Sequence, residues 1–174
     1  AGNLSHKKSY SLSDIINMKP EGDLVFNSFS IGLKNDKILF SQVNGNLAIS
    51  NSLLASNFQL NYKGQRIKID GEFSNLPEWL TGRPVQMIAS ADVSFSRFIP
   101  ELFFKDSHSS DTSTPNKSAF ALPDDIILDI NFKIDSLNYK SFSSSKIAGT
   151  LNYKPRLLTF KSLNMQSLNG IISG

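Results

Sequence analysis

Side chains that could carry acid–base, nucleophilic or metal chemistry are scarce in this 174-residue chain and poorly spaced for it. The two histidines are His6, near the amino terminus, and His108, inside a polar stretch. Neither a Ser–His–acid array nor a histidine metal site can be assembled on regular elements from such positions. The absence of Cys removes thiol nucleophiles, thiolate metal sites and disulfides together. Asp124 and Asp125 are adjacent where a strand begins, a placement suited to turn hydrogen bonding and solubility rather than to paired-carboxylate catalysis. No glycine-rich phosphate loop, Gly-x-Ser-x-Gly elbow or calcium-loop spacing occurs. Trp79 with Arg83 could form a ligand platform, but a single Trp in a short helix is better suited to capping a sheet. Asn3-Leu-Ser5 and Asn116-Lys-Ser118 fit the glycosylation sequon, a frequent chance match where Ser and Asn make up roughly a quarter of the chain. The expectation is a non-enzymatic protein with no metal site and no cofactor.

Charge and composition narrow the class further. Lys plus Arg is 18 and Asp plus Glu is 15, and the resulting +3 is interspersed along the chain. Nucleic-acid binders concentrate cations on one face, so no nucleic-acid partner is expected. The adjacent pair Lys7-Lys8 reads as a solvated end. Hydrophobic residues are 40% of the chain, enough for a packed core, yet apolar runs such as Ile126-Ile127-Leu128 fall far short of the roughly 20 residues of a spanning helix. No initiator Met is present and Gly170-Ile171-Ile172-Ser173-Gly174 stops within a strand-like pattern, as expected of a piece excised from something longer.

The elements that would position any function are strands. Leu128, Ile130, Phe132 and Ile134 alternate with Asp129, Asn131, Lys133 and Asp135 across Ile126–Asp135, the period-two signature of a half-buried strand. Phe58, Leu60 and Tyr62 alternate with Asn57, Gln59 and Asn61. After Lys63-Gly64, Ile67, Ile69, Gly71 and Phe73 alternate with Lys68, Asp70 and Glu72, which predicts a hairpin. Val85, Met87, Ala89, Ala91, Val93 and Phe95 continue the pattern. One-sided strands of this kind belong to antiparallel sheets. Short helices are predicted over Leu12–Met18, over Leu76–Leu80 with Pro77 in the first turn, and around Pro100–Phe104. None recurs at βαβ spacing, so an α/β fold is rejected. Lys105–Ser118 has no apolar residue and reads as a flexible insert.

An internal repeat flanks that insert. Val43-Asn-Gly45-Asn-Leu47-Ala-Ile49 matches Ile147-Ala-Gly149-Thr-Leu151-Asn-Tyr153. With a residue of slippage the match carries Leu54 to Leu158, Phe58 to Leu163 and Leu60 to Met165, and upstream it sets Leu24 and Phe26 on Leu128 and Ile130. The expected organisation is an amino-terminal extension over 1–22, a first β unit over 23–104, the insert over 105–118 and a second β unit over 119–174. Gly45, Gly149 and Gly71 are expected where strands bend or backbones approach closely.

From Leu122-Pro123-Asp124-Asp125 onward the chain resembles the AsmA-like family of bacterial envelope proteins. The residues carrying the likeness are the alternating strand of Leu128, Ile130, Phe132 and Ile134, then Leu137-x-Tyr139, Ile147-x-Gly149-x-Leu151, Leu157-Leu158-x-Phe160, and Asn169-Gly170-Ile171-Ile172-Ser173-Gly174. The amino-terminal part is similar to Bacteroidetes-type versions in Val43-x-Gly45-x-Leu47, the hairpin at Gly64 and Asn75-Leu76-Pro77-Glu78-Trp79-Leu80. It departs in having one Gly before Ile171 where the family often shows two, and its first 20 residues match nothing in the pattern. The resemblance implies an all-β, mainly antiparallel, repetitive sheet curled into a groove. It further implies a periplasmic location, an inner-membrane anchor elsewhere in the full-length protein, and phospholipid transport in outer-membrane biogenesis, with phospholipid and other envelope proteins as partners. The apolar face expected to meet lipid consists of Phe58, Leu60, Ile67, Ile69, Leu128, Ile130, Phe132 and Ile134. The same alternation also fits a closed β-sandwich surface module that binds a protein or glycan through its loops. An open edge at Gly174 predicts artificial edge-strand dimers.

Overall fold

The computed structural model describes residues 21–33, 38–80, 82–102, 123–167 and 170–174. They form one nine-stranded sheet in which strand order follows the chain. The strands are β1 (Gly22–Leu33), β2 (Ile38–Ile49), β3 (Ser52–Tyr62), β4 (Gln65–Ser74), β5 (Met87–Phe95), β6 (Ile126–Tyr139), β7 (Phe142–Lys154), β8 (Leu157–Ser167) and β9 (Gly170–Ser173). One helix, α1 (Leu76–Leu80), and a 3-10 turn at Pro100–Leu102 complete the described structure. The expected helix at Leu12–Met18, both histidines and the insert at 105–118 lie outside the described residues.

Local sequence explains the turns. The β3–β4 hairpin reverses at Lys63-Gly64, both at positive φ (47° and 78°), the conformation that matches the twist of paired strands. At the β7–β8 reversal Pro155 precedes Arg156 at φ 64°, an order in which the ring presets the first turn residue. Every ladder is antiparallel except one. β5 and β6 run parallel, from Met87 opposite Ile126 to Phe95 opposite Ile134. Local alternation specifies which face a residue takes but not the direction of a neighbour, so the period-two pattern could not reveal this junction.

The sheet is open and is neither closed nor strongly curled. This corrects the expected curled groove and equally the closed sandwich. No second sheet packs on the first among the described residues, and strands make substantial contact only with their ladder neighbours. Large rings occupy much of the apolar side, including Phe26, Phe58, Phe73, Phe95, Phe132 and Phe160. Strong curling toward that side would crowd them against one another, and closure would need two edges within pairing distance.

The repeat has a structural counterpart. Gln42 in β2 and Lys146 in β7 both take left-handed φ (51° and 50°), as do Asn57 in β3 and Ser162 in β8 (48° and 52°). Each lies beside a register irregularity, so β1–β2–β3 and β6–β7–β8 carry bulges at corresponding places. The upstream alignment needs correction. Gly45 faces Phe26 and Gly149 faces Phe132, so Phe26 corresponds to Phe132 rather than to Ile130. Likewise Ile49 faces Leu53 and Tyr153 faces Leu158, which makes Leu53, not Leu54, the counterpart of Leu158.

Candidate functional site

Pairing register brings the alternating residues of separate strands into continuous rows. One row runs Leu24, Leu47, Ala55, Gly71, Ala91, Ile130, Leu151, Phe160 across eight strands without a polar side chain. Beside it runs Leu53, Phe73, Ala89, Leu128, Tyr153, Leu158. All eight residues expected on the apolar face lie on this side of the sheet. Phe58, Ile69 and Phe132 share a row through Val93, and Leu60, Ile67 and Ile134 share the next through Phe95. Ile67 is buried, and the other seven are partly buried by one another.

The opposite face is mostly polar, interrupted by Val25, Leu54, Ile88, Ile127 and Leu157. Asp70, Asp92, Asn131, Thr150 and Lys161 form one of its rows. Asn131 donates to Asp92 (2.9 Å) and accepts from the Thr150 hydroxyl (2.8 Å), while Asn152 donates to Asp129 (2.7 Å). These links knit the water-facing side without creating a reactive centre.

Two short segments cover the ends of the apolar face. At one end Leu76 and Trp79 of α1 pack against Met87, Ala89, Ile126 and Tyr153. The Trp79 indole N–H donates to Asp125 Oδ2 at 2.8 Å, and the Tyr153 hydroxyl donates to the Pro123 carbonyl at 3.1 Å. Trp79 is thus a cap, and Asp125 anchors it. Asp124 instead makes an exposed ion pair with Arg156 at 3.7 Å. At the other end Phe98 packs edge-on against Phe95 (5.1 Å), its N–H bonds to the Ser136 carbonyl at 2.8 Å, and the Ile99 N–H donates to Gln65 Oε1 at 3.3 Å. Gln65 is fully buried, and its Nε2 has no hydrogen-bond partner. Extending the parity of Ile67, Ile69, Gly71 and Phe73 by one step places Gln65 on the apolar side, a signal legible in the sequence but not used.

Toward the outer strands nothing among the described residues covers the face. Phe29 is 54% exposed, Leu24 47%, Phe160 52% and Leu158 41%, so large apolar groups meet solvent at both flanks. Such a contiguous surface is rare on a monomer without a binding role. No group of three or more His, Cys, Asp or Glu residues able to hold a metal ion exists among the described residues, and no helix there is long and apolar enough to cross a membrane.

No protein-family model, curated protein or solved structure matches the chain.

Close backbone approach fits the glycines. A Cβ on Gly71 would lie 2.4 Å from Ala91 Cβ and from the Ser90 carbonyl oxygen. One on Gly45, at φ 114°, would lie 2.4 Å from the Asn57 carbonyl oxygen. Gly149 has more room, its nearest neighbour being Phe132 Cζ at 3.1 Å.

Proposed function

We propose that the chain is a non-enzymatic segment of an AsmA-like envelope protein that handles phospholipid on the apolar face of its sheet, in the periplasm, with the membrane anchor elsewhere in the full-length protein. One observation carries this reading: a single-layer sheet presents unbroken apolar rows across eight strands, and among the described residues only its ends are covered. Acyl chains bind by area removed from water, at roughly 25 cal/mol per Å², and need no directed polar group. An open face of this kind supports lateral passage of a chain as well as its binding. The resemblance of the residue pattern to AsmA-like proteins is what suggests the location and the lipid class.

The test is native mass spectrometry of gently purified protein followed by lipid extraction. Near-stoichiometric phospholipid is expected. Phe132, partly buried in mid-sheet, allows a second arm: Phe132→Asp is expected to keep the β circular-dichroism signature while co-purified phospholipid is lost. Protein that carries no lipid and ignores added fluorescent phosphatidylcholine overturns the proposal.

A further inference from the structure

Charges that are interspersed along the chain are sorted by the fold. The row Phe58, Ile69, Val93, Phe132 serves as a midline across the strands. On the side of the Lys63-Gly64 and Lys140-Ser141 reversals lie seven described cations, Lys63, Arg66, Lys68, Arg97, Lys133, Lys140 and Lys146, against two carboxylates, Glu101 and Asp135. The other side holds the remaining nine of the eleven described carboxylates against four cations, Arg83, Lys154, Arg156 and Lys161. The described residues therefore carry a formal charge of +5 at one end of the strands and −5 at the other. Strand reversal does the sorting: Lys68 precedes Asp70 and Glu72 in β4, whereas Asp129 precedes Lys133 in β6, which runs the opposite way.

From this polarity we infer that the basic end docks on an anionic phospholipid bilayer, with the tip of the β6–β7 hairpin foremost and the acidic end turned away. The inference rests on the lipid-handling reading for the choice of a bilayer among polyanions, and it adds which end of the sheet meets the membrane. Shape supports the order of contact. Ile67, Phe95 and Ile134 share a row, from which β4 reaches its end two residues on, at Gln65, while β6 continues five residues to Tyr139. At about 3.3 Å per residue the hairpin leads the Lys63-Gly64 turn by roughly 10 Å. At its tip Tyr139 and Phe142 face each other across the ladder, 39% and 43% exposed, and Lys140 Nζ lies 5.2 Å from the centre of the Tyr139 ring. Lys63 repeats the arrangement over Tyr62 at 5.3 Å. Rings with an apolar body and a polar edge, beside lysines on long apolar stems, suit the headgroup layer. Behind the tip, the apolar side of the hairpin passes from Ile134 and Ile147 to Ser136, Asn138, Ser143 and Ser145, uncharged groups able to bond to headgroup oxygens. Each cation near an anionic leaflet adds attraction, and the acidic end is repelled by it, so the charge separation orients the sheet as well as binding it.

Vesicle flotation of the intact chain tests the inference, with phosphatidylcholine vesicles containing phosphatidylglycerol as probe and vesicles of phosphatidylcholine alone as reference. The protein is expected to float with the anionic vesicles only, and to be released by salt that shortens the screening length to about 3 Å. Lys140→Gln is expected to weaken binding about fivefold, the effect of losing one cation near an anionic surface. Lys154→Gln removes the same charge at the acidic end and is expected to leave binding unchanged. Because the chain contains no Cys, an environment-sensitive dye can be attached at one chosen place. On Ser141→Cys, at the tip, its emission is expected to shift to the blue with anionic vesicles; on Ser50→Cys, in the β2–β3 turn at the acidic end, it is expected to stay unchanged. Equal weakening by the two lysine variants, equal shifts of the two dyes, or equal flotation with both kinds of vesicle each overturns the inference. Protein that carries extracted phospholipid yet does not float also overturns it, and leaves the apolar face standing as a lipid site. Protein that docks by its tip yet carries no lipid upholds it and removes that site instead.

Discussion

Two glycines at matching places in the two repeats show how one pattern can rest on different local constraints. Gly45 and Gly149 each face a Phe of the preceding strand and lie near the bulge in the following one. Yet Gly45 takes φ 114° and a Cβ there would overlap the backbone of Asn57 and Phe58, while one on Gly149 would lie 3.1 Å from the tip of the Phe132 ring and 3.3 Å from the Lys161 carbonyl oxygen, close but without overlap. A backbone contact cannot yield without parting β2 from β3; a ring can shift by a few tenths of an ångström. Sequence identity at equivalent positions therefore does not imply equal energetic constraint.

The comparison can be broken by substitution, and Gly45→Ala carries the largest expected effect. Positive φ and backbone overlap act together, so a loss of about 3 kcal/mol is expected in chemical denaturation. Gly149→Ala is expected to cost about 1 kcal/mol, since the ring can adjust and the β8 backbone, no nearer than 3.3 Å, need give only slightly. Equal losses at both sites would show that the repeats are constrained alike. Gln65→Met sharpens the contrast between covered and open parts of the face. It removes both a buried donor without a partner and a long bond from Ile99, two opposing effects expected to leave stability within about 1 kcal/mol of wild type in urea titration. On the water-facing side, Thr150→Val removes an exposed bond to Asn131 and is expected to shift the denaturation midpoint by no more than about 0.5 kcal/mol of stability.

Much of this architecture was legible in the residues. The alternation of Leu128, Ile130, Phe132 and Ile134 gave the correct face of β6, Lys63-Gly64 marked a hairpin, and Leu76–Leu80 formed the expected helix. Membership of the apolar face followed from parity alone, because a strand has only two sides. What parity cannot encode was missed: the curvature of the sheet, the parallel direction of β5 against β6, and the cover supplied by Phe98, whereas Trp79 caps the sheet as its place in a short helix suggests. The upstream repeat slipped because the span from Phe26 to Gly45 is two residues longer than that from Phe132 to Gly149. A fixed sequence offset cannot follow a hairpin of different length.

The parallel junction has a kinetic consequence. Antiparallel ladders such as β3–β4 and β6–β7 join strands across two-residue reversals and form from contacts close in sequence. The β5–β6 ladder pairs Met87 with Ile126 and forms only after residues 96–125 have brought distant chain together, a closure whose entropy must be lost before any bond rewards it. Two wings, β1–β5 and β6–β9, are thus able to assemble separately and to meet in one late event. Substitutions at the seam, such as Ala91→Gly, are therefore expected to slow folding in stopped-flow measurements, and substitutions within either wing to act mainly on the unfolding rate.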